Sequence, residues 1–351
     1  MLKAGAKSTT NLEMEKAMNW QKLVEGYGSN NGHEAIERLL SDVFAPLEKN
    51  NTLSVANKLW LQKYFCPTQC DNFINILKKS YKADMEELNF AIHAEKSREE
   101  INKWVAEKTN QKIKDLLPKG TVNALTRFVL TNAIYFKSNW MHAFDEKSTS
   151  QRSFSTYVGD EGEIQKTVST MYQTEQFRFS GFLPASRYEV LEMPYEGEKI
   201  SMVVVVPKTR EDFNNMEKTI SSIDLNRMLK ELYEFPPSKL DVQMPKFKVN
   251  TKLDLKGLLY KMGMRDVFNP RTADLSGITG YRGMYVSNAI HKAYVNVDEK
   301  GTEAAAATGI TIELASLPFQ FLVNRPFIYM IRHVETNTIL FMGRVMDPTA
   351  E

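Results

Sequence analysis

Glu299-Lys-Gly-Thr-Glu-Ala-Ala-Ala-Ala-Thr-Gly-Ile-Thr-Ile-Glu-Leu-Ala-Ser-Leu-Pro318 is the stretch on which the fold of this chain turns. Four consecutive alanines favour helix by propensity. Here, however, the run lies between Gly301 and Gly309, and Ile310, Thr311 and Ile312 follow it. These β-branched residues favour strands. Every second residue (Thr302, Ala304, Ala306, Thr308, Ile310, Ile312, Leu314) forms a line that is small at first and then apolar. The alternate line, Glu303, Ala305, Ala307, Gly309, Thr311 and Glu313, stays small or polar. That is the period of a half-buried strand. Ala315-Ser-Leu-Pro318, in contrast, reads as an exposed loop tip, with a proline that cannot continue a central strand. The same residues are written for a loop and for a strand.

The flanks support the strand reading. Upstream, residues 288–299 alternate like a long strand entering the segment. Downstream come Phe321-Leu-Val-Asn-Arg-Pro-Phe327 and two strand-like runs, residues 328–333 and 338–345. Between those runs, Glu335-Thr-Asn-Thr338 supplies hairpin turn chemistry.

Residues 299–307 resemble the proximal hinge of a serpin reactive-centre loop. Asn324-Arg-Pro-Phe327 and Phe341-Met-Gly-Arg-Val345 resemble that family's C-terminal strand signatures. Further matches are Thr131-Asn-Ala-Ile-Tyr-Phe-Lys-Ser-Asn-Trp140, Met244-Pro-Lys-Phe-Lys-Val249 and Leu258-Leu-Tyr-Lys-Met-Gly-Met264. The resemblance runs nearly end to end, closest in style to the intracellular ovalbumin-like branch. Its N-terminal part, Met1 to Met18, is similar to the end of the second serpin helix and the start of the third. The family's helix A and strand 6B are therefore expected to be lacking.

The resemblance implies an α+β serpin fold in one domain, residues 1–351. A large central β-sheet, flanking helices and further sheets are expected, with an exposed reactive-centre loop at residues 299–318. It assigns the hinge to Glu299, Gly301, Thr302, Glu303, Ala304, Ala305, Ala306, Ala307 and Thr308. It places Asn132, Trp140 and His291 in the polar shutter and breach regions where the sheet opens. Family spacing from Glu299 and spacing back from Pro326 both put the reactive bond at Ala315-Ser316. A shift of one residue makes Leu314 the primary residue. The function implied is suicide-substrate inhibition of an elastase-like or chymotrypsin-like serine protease, a cysteine protease being a further possible target. A non-inhibitory binding serpin and an inactive truncated one are the alternatives, although bulky or charged hinge residues that would favour the former are absent.

Composition is consistent with this picture. The chain has 351 residues, 25% charged, and a net charge of +2 with acids and bases interspersed. Nothing in that balance calls for a nucleic-acid or membrane partner. No apolar stretch is long enough to span a bilayer, and the first ten residues lack the apolar core of a signal peptide. Cys66 and Cys70 are read as free structural thiols, which leans towards a reducing, cytoplasmic location. The extracellular alternative would bring the sequon Asn50-Asn-Thr52 into play. A monomer without cofactor is expected.

Enzyme chemistry is not legible. Gly-x-Ser-x-Gly, the phosphate-loop pattern and His-Glu-x-x-His are all missing. His33, His93, His142, His291 and His333 are scattered singly, without metal-ligand spacing. The pairs Glu86-Glu87 and Glu99-Glu100 read as solvated helix faces rather than as a general acid and base. The expectation is a protein that is not an enzyme and holds no metal.

Among the elements, residues 53–62 and Phe128–Phe136 read as strands, and residues 68–81 and 95–117 as amphipathic helices. Residues 190–195 and 200–207 form a strand pair, 208–233 is helical, 239–248 a strand and 253–264 a helix. Helices first and strands crowded later suggest α+β rather than a parallel α/β sheet.

Overall fold

The computed structural model describes residues 1–50, 52–64, 70–159, 162–181, 186–302 and 318–350. In chain order the strands are β1 Leu53–Gln62, β2 Asp84–Leu88, β3 Phe128–Phe136, β4 Ser138–Asn139, β5 Ser150–Val158, β6 Gly162–Ser180, β7 Tyr188–Pro194 and β8 Ile200–Pro207. They continue with β9 Ser238–Pro245, β10 Phe247–Asp254, β11 Ile290–Val297, β12 Gly301–Thr302, β13 Phe319–Leu322, β14 Phe327–His333 and β15 Ile339–Val345. The helices are α1 Ser8–Ala17, α2 Trp20–Gly26, α3 Gly32–Leu39, α4 Ala45–Lys49, α5 Asp71–Tyr81, α6 Phe90–Lys108, α7 Arg210–Thr219, α8 Ser222–Glu231, α9 Leu255–Lys261 and α10 Ser276–Thr279.

The described residues fall into two compact units, Met1–Phe136 with Asn250–Tyr294, and Lys137–Val249 with Val295–Glu351. The first is built on a five-stranded sheet of order β10-β11-β3-β1-β2. β1 runs antiparallel to β3 and parallel to β2. β11 runs parallel to β3, with His291–Tyr294 registered against Asn132–Tyr135. Alternation along β1 sends side chains to opposite faces. Leu59 and Leu61 pack with Phe73 and Leu77 of α5 and with Phe128. Ala56 and Trp60 pack on the other face with Ile101 and Val105 of α6, and with Ala133 and Tyr135.

The second unit carries an eight-stranded sheet of order β13-β9-β6-β7-β8-β14-β15, with β5 on β6, and the small pair β12-β4. Every residue of β8 is buried, as fits a central strand that is apolar but for Ser201, whose hydroxyl donates to Glu192. α7 and α8 cover it, Phe213, Met216 and Met228 packing on Val190, Val203, Val205 and Ile328. Both helices begin at caps that their sequences spell out. Thr209 accepts from the Asp212 amide, and Ser221 forms a reciprocal capping box with Asp224.

Four expectations need correction. Glu86-Glu87 lies on strand β2, not on a helix face, and Glu86 pairs with Lys58. α6 ends at Lys108 instead of continuing to residue 117, because Asn110 and Gln111 take left-handed backbone, at φ 49° and 63°. Ile113 and Leu116 are still buried, but in a segment that folds back. The Asn102 amide holds that segment by bonding Leu117 N and O, both at 2.9 Å. The strand expected at 239–248 breaks after Pro245. β9 belongs to the eight-stranded sheet and β10 to the five-stranded one. Cys70 is disulfide-bonded rather than a free thiol, and none of the described cysteines is free. Cys66 lies outside the described residues.

Candidate functional site: the hinge root and the opening row

A tight turn follows β11, where the sequence reading puts the start of the hinge. Asp298 N donates to Gly301 O at 2.9 Å, and Gly301 N donates to Asp298 O at 3.2 Å. Gly301 has φ +140°, and a Cβ there would sit 2.2 Å from Ser138 O. Only glycine fits this close approach. Gly301 and Thr302 then pair antiparallel with Asn139 and Ser138, forming β12-β4.

Thr302 is fully buried, with Oγ1 3.0 Å from the Tyr195 hydroxyl. Burial pushes the Tyr195 phenol far above its usual range, although the Thr302 bond works the other way. It therefore stays neutral. The Tyr195 ring stacks on Trp140, with centroids 4.5 Å apart and planes 12° apart. Trp140 Nε1 donates to Asp298 O at 3.0 Å, and its backbone N to Lys300 O at 2.9 Å. Trp140 thus clamps both ends of the turn.

Charge fixes the same root. Glu299 is buried at 6% exposure and accepts from Thr149 Oγ1 at 2.7 Å and Lys246 Nζ at 2.8 Å. Burial works to raise the Glu299 carboxyl, but the Lys246 and Thr149 bonds outweigh it and hold the group below its ordinary value. Lys300 pairs with Glu146 at 3.3 Å. These residues line an open polar recess of about 470 Å³. Burial raises Asp298 above the ordinary carboxylate range, Lys300 N donating to its Oδ1 at 3.0 Å.

A separate row crosses three strands of the five-stranded sheet. Asn57 on β1 is opposite Asn132 on β3, which is opposite His291 on β11. His291 Nδ1 donates to Asn132 Oδ1, and Asn132 Nδ2 donates to Asn57 Oδ1, each at 2.7 Å. Burial lowers the His291 pKa, which favours the neutral ring. β3 and β11 are parallel neighbours, and one added strand could run antiparallel to both.

Of the residues named from the sequence, Glu299, Gly301, Thr302 and Trp140 come together at the hinge root, and Asn132 and His291 meet in the row. Glu303, Ala304, Ala305, Ala306, Ala307, Thr308, Leu314, Ala315 and Ser316 lie outside the described residues. Sequence reasoning missed Asn57, Tyr195, Thr149, Lys246 and Glu146. Asn57 carried a signal, a lone amide in strand-like Leu53-Ser-Val-Ala-Asn-Lys-Leu-Trp60. The other four meet Glu299, Lys300 and Thr302 only through the tertiary fold.

One unit thus carries a mixed sheet with a parallel seam, and the other a buried Gly-Thr root after which the sequence continues into small residues. Similarity to known proteins settles the family. Residues 1–348 match the family profile described as Serpin (serine protease inhibitor). The chain is 35% identical to human Serpin B11 over 360 residues, covering 99% of this chain and 90% of that protein. It is 36% identical to the Bos taurus leukocyte elastase inhibitor, covering 99% and 89%. Uncleaved ovalbumin superposes with a TM-score of 0.82 at 27% identity, covering 99% and 89%. The chain belongs to the serpin family.

Proposed function

We propose that this serpin is a suicide-substrate inhibitor of serine proteases with elastase-like or chymotrypsin-like pockets. The protease attacks Ala315-Ser316, or the bond after Leu314, and its own triad forms an acyl-enzyme. The freed loop then enters the five-stranded sheet as a new strand, carrying the acylated protease with it.

The observation that carries this reading is the seated pair Gly301–Thr302, already bonded to Ser138 and Asn139. Insertion extends this ladder and does not have to nucleate one. One-for-one continuation of the register would bring Thr308 opposite Asn132, with the alanines 304–307 passing first. Small side chains there let the strand advance before the acyl bond is hydrolysed. Backbone ordering costs about 1–2 kcal/mol per residue, and each ladder bond returns about 0.5–1.5. Burial then decides the sign. Ile310, Ile312 and Leu314 contribute roughly 1.5–3 kcal/mol apiece when fully buried.

The test is incubation with pancreatic elastase and with chymotrypsin, a denaturing gel, and mapping of the nick. A band at the summed mass is expected, cut after Ala315 or Leu314. Thr302→Arg buries a charge in the Tyr195 socket and should turn the inhibitor into a substrate. Complete cleavage of the parent with no stable complex would contradict the reading. The cytoplasmic expectation rested on the missing signal-peptide core and the likeness to the intracellular branch as well as on free thiols. The Cys70 disulfide removes only the thiol part of that support, and locating the protein in its native source decides between the cytoplasmic and extracellular readings.

A further inference from the structure

Tyr195 and Thr302 are both fully buried, and their hydroxyls meet at 3.0 Å. The tyrosine is held from two sides. Its ring stacks on Trp140, and the two residues form an antiparallel bridge. Next to it, Glu196 N donates to Asn139 O at 2.9 Å, and Asn139 Nδ2 donates to Glu196 Oε2 at 2.8 Å. The hairpin that joins β7 to β8 is thus bonded to β4, the strand that seats Gly301 and Thr302. The phenol therefore has a fixed place beside the seated pair, one residue beyond the position where no Cβ is admitted.

We infer that Tyr195 is a positioning residue for insertion: its hydroxyl pairs with that of Thr302 and locks the register in which the loop enters. The inference rests on the reading above, that the cleaved loop inserts as a strand. Parity carries it. Side chains two apart along a strand share a face. A strand that continues from Thr302 puts Ile310, Ile312 and Leu314 on the face that Thr302 buries, and Glu303 and Glu313 on the other. A slip of one residue exchanges the two lines. That slip would set Thr302 where Gly301 now sits, and a Cβ at that place lies 2.2 Å from Ser138 O. It would also push Glu303 into the Tyr195 socket, burying a carboxylate beside a neutral phenol. Sterics at Gly301 and the hydrogen bond at Thr302 exclude the same error. The seated strand is only two residues long. One side-chain hydrogen bond, comparable with a ladder bond, is then a large share of what holds it.

The test uses the full chain with pancreatic elastase and with chymotrypsin. The readout is the excess of inhibitor cleaved over protease trapped, a ratio that does not depend on how fast the bond is first cut. Tyr195→Phe keeps the ring and its stack and removes only the hydroxyl, and Thr302→Val removes the hydroxyl opposite. Each should raise the excess about two- to ten-fold, the equivalent of one net hydrogen bond. Thr302→Ser restores the hydroxyl and should recover what Thr302→Val loses. The two losses break the same bond, so the double variant should be no worse than either single one. A merely structural role would lower the melting temperature without moving the ratio. Single variants that partition with the parent, or a double variant whose effects multiply, would overturn the register lock and leave the inhibitor reading intact. A parent that traps neither protease would overturn both. Should Tyr195→Phe melt early, Thr302→Val and Thr302→Ser decide alone, and equal partition by that pair would overturn the inference.

Discussion

Glu299 sits almost buried at the edge of a polar recess, where Lys246 and Thr149 balance its charge. Removing one member of a buried pair costs more than the pair contributes. Glu299→Lys should therefore lower stability by about 2–3 kcal/mol, the half-exposed lysine keeping the loss below the fully buried range. Adding Lys246→Glu should recover much of it, and urea unfolding of the single and double variants checks both. The histidines set a pH window. His33 is held down to about 4, by burial first and then by the positive charge of Lys3, and burial lowers His291 and His333 as well. Their folded values lie below the unfolded value of about 6.5. The unfolded chain then binds more protons in acid. Their contribution is fully present above about pH 6.5 and is lost as pH falls towards 4. Urea midpoints should drop between pH 6.5 and 4, and His33→Gln should flatten that drop.

Besides the packing of Ile101 and Val105, an aromatic contact fastens α6 to its sheet. The Trp104 ring meets Trp60 edge-on at 5.4 Å, and Lys58 Nζ lies 4.4 Å from the Trp60 ring and 5.0 Å from Trp104. Glu86 pairs with that lysine, and Trp60 Nε1 donates to Thr131 on β3 at 3.2 Å. Trp104→Ala removes the upper ring and should cost about 2–4 kcal/mol, read as an earlier urea midpoint with unchanged far-ultraviolet helicity. Legibility also varied by element. Phe128–Phe136 and residues 53–62 matched their strands to the residue, since their apolar runs are sharply bounded. No element was read between 141 and 187, where β5 and β6 lie. Many of their residues are exposed and polar, so the period-two signal is weak. α6 was drawn too long because buried Ile113 and Leu116 happened to keep helical spacing beyond its true end.

For the whole molecule, the α+β class was readable from the order of elements, and the family from short runs scattered across the chain. The partners at the hinge root were not. Tyr195 comes from the end of a hairpin, Lys246 from the break between β9 and β10, and Thr149 from the residue before β5. No local pattern joins such positions, because the fold alone brings them to Glu299 and Thr302. The proposed function makes a claim about the molecule's free energy: the sheet becomes more stable once the loop has joined it. The most direct measurement is thermal unfolding of the intact chain and of the same chain nicked within residues 310–317. Insertion predicts a rise of about 6–12 °C, the burial of three apolar side chains read through the unfolding entropy of a chain this size. A nicked chain that melts with the intact one would contradict the account.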